Sequence, residues 1–130
     1  MAPTEANLDS VFVRSLVVNA ILGIHPHERV TPQPIRISFA MAVDTRRAAA
    51  SDDIRDALDY ARAAERVSAL TRNGQYQLAE TLAEHIAALL LAEFPADRVR
   101  VEVEKPEALA DAASVGVSIE RRRNVTSRPG

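Results

Sequence analysis

Residues 35–43 alternate without interruption: Ile35, Ile37, Phe39, Met41 and Val43 fall on one side, Arg36, Ser38, Ala40 and Ala42 on the other. A repeat of two puts every apolar side chain on one face of a strand, which must then be covered. Val99, Val101 and Val103 repeat the pattern against Arg100, Glu102 and Glu104, and Val115, Val117 and Ile119 repeat it against Ser114, Gly116, Ser118 and Glu120. Residues 9–18 are a fourth apolar run with broken alternation, which a bulge near Arg14–Ser15 would restore.

The cover lies between the second and third of these runs. From Tyr60, apolar or small residues recur at 60, 63, 64, 67 and 70, the spacing of one helix face, and Asn73-Gly74 stops that helix. A second helix is expected from about Gln77 to Phe94, with Leu78, Leu82, Ile86, Leu89 and Leu90 as its stripe and Pro95 as its end. Ser51-Asp52-Asp53 has the chemistry of a helix start, a hydroxyl cap followed by acids, and should open a short helical turn. The connection holding Gly23, Pro26, Pro32 and Pro34 reads as a loop or hairpin end. Two strands, two helices and two strands predict an α+β fold, a four-stranded antiparallel sheet with both helices on one face. Such a sheet has two open edges, and several subunits joined edge to edge would close them.

With 130 residues the chain is expected to form one domain, residues 9–122, with flexible tails at 1–8 and 123–130. There is no cysteine, so there is no disulfide, thiol nucleophile or cysteine-based zinc site. A net charge of −2 lacks the basic footprint of a nucleic-acid binder. Arg121-Arg122-Arg123, the densest basic cluster, reads as a solvated strand end. No apolar run is long enough for a membrane span, and the first ten residues are polar, so a cytoplasmic protein is expected.

Of 16 basic residues, a single one, Lys105, is lysine. It shares the parity of Val99, Val101 and Val103, so its side chain starts on the apolar face before Pro106 ends the strand. A desolvated lysine can exchange its proton near neutral pH, which arginine cannot, so acid–base work is one reading. A stem packed on the sheet with its head in water is the other. Glu28 is a loop carboxylate. Glu80 opens the second helix, facing away from the leucine stripe, where it either favours the positive helix end or meets a ligand or neighbouring subunit. Tyr60, on the apolar stripe of the first helix, either packs in the core or offers a platform for a flat ring. His25 and His27 form a His-x-His pair with His85 further on, but Pro26 disturbs the alternation that would aim both rings at one zinc ion. No glycine-rich phosphate loop, serine elbow or dinucleotide fingerprint occurs.

The order of the short motifs carries more than any one of them. Gly23-Ile24, Glu28-Arg29, Ser51-Asp52-Asp53-Ile54, Leu58-Asp59-Tyr60, Leu78-Ala79-Glu80-Thr81-Leu82-Ala83-Glu84, Val103-Glu104-Lys105-Pro106 and Ser114-Val115-Gly116-Val117-Ser118-Ile119-Glu120-Arg121 together resemble the dihydroneopterin aldolase family over roughly residues 9–122. The resemblance implies a tunnelling fold, ββααββ, closed into a barrel by a ring of four subunits, usually stacked as an octamer, with active sites between adjacent subunits. It implies a cofactor-independent aldehyde-lyase of folate biosynthesis, with no metal, that splits 7,8-dihydroneopterin into 6-hydroxymethyl-7,8-dihydropterin and glycolaldehyde. By position, Glu80 matches the carboxylate that anchors the amino-pyrimidine edge, Ala79 the residue whose backbone helps hold the ring, and Tyr60 the tyrosine beside the pterin. Glu28 matches the acid near the side-chain hydroxyls and Lys105 the general acid–base. Ala79 departs from the larger aliphatic residue common there, a change that a backbone contact survives. The substrate already carries a ring C=N next to the breaking bond, so a proton suffices where other aldolases use a Schiff base or metal.

Three other readings stand beside this one. Rejoining the broken bond on its other face gives 2′-epimerisation, as a side activity or as the main one in an epimerase of the same fold acting on the triphosphate. A zinc-dependent pterin synthase of the wider fold group would need three converging histidines. A non-catalytic pterin-binding ring would make Lys105 dispensable.

Overall fold

The computed structural model describes residues 9–123, so the tail expected at 1–8, and all but Arg123 of the tail expected at 123–130, lie outside them. Strand β1 runs Ser10–Ala20, helix α1 Pro26–Val30, β2 Gln33–Ala42, α2 Arg46–Ser51, α3 Tyr60–Gly74, α4 Ala79–Glu93, β3 Arg98–Lys105 and β4 Val115–Arg122. The four strands form one antiparallel sheet in the order β1-β2-β3-β4.

The alternation decides which face is covered. Ile35, Ile37, Phe39 and Met41 of β2 and Val99, Val101 and Val103 of β3 are at most 2% exposed. Above them lie Ala63 and Val67 of α3 and Leu82, Ala83, Ile86, Ala87 and Leu90 of α4, all buried. Helix α4 rests on β3 and β4, and α3 on β1, so both long helices share one face, as expected. The outer edges of β1 and β4 have no partner strand among the described residues.

The broken alternation of β1 is a bulge. Pairing with β2 shifts between Val13 and Leu16, and Ser15 takes φ 59 while its N–H donates to Ser38 Oγ at 2.9 Å. The extra residue returns Val18 and Ala20 to the buried side.

Several local expectations are corrected. The loop after β1 contains α1, whose Pro26 stands at the first helical position, where a missing N–H costs nothing. Ser51 ends a helix instead of starting one. Residues 46–51 form α2, Asp52 closes it in the left-handed region, and Asp53 caps the following 3₁₀ turn, Ile54–Asp56, by accepting from Arg55 N. Helix α3 is capped by Asp59, which accepts from Arg62 N at 3.0 Å. Its left-handed terminus falls on Gln75, φ 48, just past Gly74. Tyr60 is 60% exposed and no part of the core, because the covered stripe narrows to Ala63, Val67 and Thr71.

The arginine cluster at the end of β4 is tied down. Arg121 pairs with Glu84, and Arg123 donates to the carbonyls of Phe94 (3.1 Å) and Ala96 (2.6 Å), anchoring the first residue assigned to the tail. Among the described residues no helix is long and apolar enough to cross a membrane. Ile37 is fully buried between sheet and helices. Ile37→Ala should cost about 3 kcal/mol of stability, read from urea unfolding, whereas Arg72→Ala on the open face of α3 should stay within about 0.5 kcal/mol.

Candidate functional site

At the end of the sheet where β3 stops and β4 begins, strand parity delivers Lys105 toward the covered face. It arrives beside Glu28, 77 residues away in sequence, and Nζ donates to Glu28 Oε2 at 2.7 Å. The two side chains keep only 17% and 10% exposure. Glu28 reaches this position because α1 is a single turn that points its third residue inward. The carboxylate also accepts from His25 N–H at 3.2 Å and from Gln33 Nε2 at 3.4 Å, while Gln33 donates to Leu22 O at 2.8 Å. Gly23 completes the fit. Its φ is 137, and a Cβ there would occupy the Glu28 carboxylate, so both backbone and space require glycine.

The Lys105 ammonium holds Glu28 ionised. Hydrogen bonding to it, joined by the His25 and Gln33 donors, overcomes burial and lowers the carboxyl from 4.5 to about 2. Near neutral pH Glu28 is therefore an acceptor and a counter-charge, and no proton donor.

The facing wall is the start of α4. Leu78 stands at the capping position with no hydroxyl or carboxylate to offer. Among the described residues nothing accepts from the amides of Ala79, Glu80 and Thr81. An uncapped helix start presents free N–H donors and positive potential. Glu80, exposed and outside any ion pair among the described residues, projects from the same turn.

Between the two walls lies a cleft of about 330 Å³. Glu28, Lys105, His25, Ala79 and Glu80 line it with Gly23, Gln77, Gly116 and the apolar side chains of Ile24, Leu78, Ala108, Val115 and Val117. The arrangement suits a flat heterocycle: apolar sides for its faces, a carboxylate and free amides for its edge, and an ammonium over one end. A larger hollow of about 530 Å³ lies on the open face of the sheet. Its Arg100, Glu102 and Glu104 are strand-surface charges, and it lacks a buried charged pair.

Four of the five sequence candidates therefore meet in one cleft, and Tyr60 does not. It begins α3, whose 15 residues span about 22 Å, while the other end of that helix reaches the cleft side. The rings of His25 and His27 stack in parallel, 5.8 Å apart, while His85 accepts from or donates to Tyr76 Oη at 2.8 Å. Among the described residues no three His, Cys, Asp or Glu side chains are grouped to hold a metal ion. Gln33 is a site residue that sequence reasoning missed. Its signal, a lone amide at the start of a strand, becomes meaningful only once Glu28 is beside it.

The Glu28 shift has a definite sign. A carboxyl with folded pKa about 2 and ordinary value 4.5 contributes stability above pH 4.5 that drains as pH falls toward 2. Glu28→Gln should melt lower than wild type at pH 7, by about 2 kcal/mol of stability, and the gap should close progressively between pH 4.5 and pH 2. A gap independent of pH would contradict the ionised pair.

Comparison with known proteins gives a consistent picture. A family model described as FolB, dihydroneopterin aldolase, matches residues 11–120. The chain is 42% identical over 118 residues to a dihydroneopterin aldolase of Escherichia coli strain K12, covering 91% of this chain and 97% of the relative. The crystal structure of Escherichia coli dihydroneopterin aldolase in complex with neopterin aligns at TM-score 0.85 and 42% identity, covering 88% of this chain and 99% of that one. A dihydroneopterin aldolase from Burkholderia thailendensis bound to guanine aligns at TM-score 0.79 and 29% identity, covering 95% and 98%.

Proposed function

The chain belongs to the dihydroneopterin aldolase family, and from that premise we propose that it splits 7,8-dihydroneopterin into 6-hydroxymethyl-7,8-dihydropterin and glycolaldehyde in the cleft between α1 and the start of α4. The observation that carries the proposal is the ion pair of Lys105 and Glu28 standing across one cleft from Glu80 at an uncapped helix start. Neopterin and guanine, found in related structures, share an amino-pyrimidinone edge. Its two parallel N–H groups match a carboxylate, the role proposed for Glu80, and its carbonyl matches the free amide of Ala79.

With the ring so held, the side chain extends toward Lys105 and Glu28. The C2′ hydroxyl gives up its proton to solvent and the C1′–C2′ bond breaks, releasing glycolaldehyde. The electron pair moves through C6 into the ring C=N as the Lys105 ammonium delivers a proton to that nitrogen. Protonation at C1′ then restores the C=N, and the ring proton returns to Lys105. Glu28, kept ionised, accepts from the side-chain hydroxyls and orients the ammonium. General acid–base catalysis of this kind is worth about 10²–10⁴-fold. Closing the same bond on the opposite face of the aldehyde accounts for 2′-epimerisation as a side activity.

Tyr60 enters from another copy in this reading. It is a helix length from its own cleft, exposed, and joined by exposed Ile54 in the same region. The open outer edges of β1 and β4 favour a closed ring, a tetramer or stacked octamer, whose neighbour supplies Tyr60.

Two measurements test this. With 7,8-dihydroneopterin, Lys105→Ala should lose at least 10²-fold in kcat while retaining pterin binding, and Glu80→Ala should mainly raise KM. Normal kinetics in both variants would sink the site assignment. Mixing inactive Lys105→Ala and Tyr60→Ala chains, followed by subunit exchange, should restore activity in some sites. A monomeric mass by light scattering, or no recovery on mixing, would refute the shared site.

A further inference from the structure

Arg46, Arg55, Arg66 and Arg121 each hold a carboxylate. Arg29, half-buried and next in sequence to Glu28, holds three backbone carbonyls instead. Its Nη1 donates to Gly23 O at 3.0 Å and Tyr76 O at 3.1 Å, and its Nη2 donates to Gln75 O at 2.8 Å. Gly23 N–H joins the same knot by donating to Tyr76 O at 3.2 Å.

These carbonyls belong to the two sides of the cleft. Gly23 leads into α1, which carries Glu28. Gln75 caps the end of α3, and Tyr76 follows it, three residues before Ala79 and four before Glu80. Gln75 takes a left-handed conformation, which turns the chain out of α3 and toward α4. The negative end of a helix also favours a cation at that place. A guanidinium is planar and forked, so it can span both segments at once, whereas an ammonium is a point charge without that reach.

We infer that Arg29 is a positioning residue for the reaction: it ties the loop bearing Glu28 to the turn bearing Glu80 and so sets the gap in which the pterin is presented to Lys105. The inference rests on the cleft being the pterin site. One face of the gap is fixed by Lys105, Gln33 and Gly23 around Glu28, and the turn that leads into the other is held to it by Arg29 together with the Gly23 N–H on Tyr76 O. Misplacement by about 1 Å at a reacting centre costs on the order of 10²-fold in rate.

The test uses the full chain as Arg29→Met and Arg29→Lys, with amide exchange at Gly23, neopterin affinity, and kcat and KM for 7,8-dihydroneopterin. Arg29→Met should speed Gly23 exchange about tenfold, weaken neopterin about tenfold and lower kcat about tenfold, with Arg29→Lys intermediate on all three. Should Arg29→Met fail to fold, Arg29→Lys is judged by the same readouts. Unchanged Gly23 exchange, or a lower melting temperature with wild-type affinity and kcat per folded chain, would overturn the inference and leave Arg29 a helix-end brace. Wild-type protein that neither binds neopterin nor turns over would overturn the site itself, a result separate from an active wild type beside an unaffected Arg29→Met.

Discussion

An ammonium delivered to the apolar side of a sheet needs an anion. Lys105 leaves β3 on the same face as three buried valines, and water reaches it poorly. Its partner, Glu28, comes from a segment 77 residues earlier, so the pair sews the end of the sheet to the turn after β1. Each neighbouring peculiarity serves that contact. Gly23 leaves room for the carboxylate, Pro26 starts the single turn that aims it, and Gln33 donates to one of its oxygens. Breaking such a pair strands a charge in a place of low polarity, which costs more than the pair itself contributes.

The same constraint couples stability to chemistry. The contact that holds Glu28 ionised also fixes the Lys105 side chain on the wall of the cleft. The opposite wall is built on a different principle. A helix start with leucine at its cap leaves three amides without an acceptor among the described residues. Among the described residues, charge is satisfied internally on one side and left open on the other.

Much of this was legible in the residues. Alternation gave the strands and the covered face, and broken alternation located the bulge at Ser15. Parity turned Lys105 inward, and the helical wheel turned Glu80 outward. Capping chemistry was less dependable. Ser51 has the right hydroxyl for a helix start, yet it ends α2, because local side-chain preferences at helix ends compete with how the chain must leave the sheet. Tyr60 fits the helical period but lies one turn before Ala63, the first buried residue of α3, and stays exposed. The contacts of Arg29 and Gln33 were not legible, since their partners are backbone carbonyls and a carboxylate that only folding brings near.

The sequence by itself determined the sheet, the two covering helices and the family, because periodicity and ordered motifs are properties of the chain taken locally. Tertiary structure decided which candidates share a cleft. It brought Glu28 to Lys105, opened the start of α4 toward both, and left Tyr60 at the far end of α3. The physical reason is reach: a repeat of two or 3.6 residues states which way a side chain points. Contacts across 46 or 77 residues depend on where whole elements come to rest.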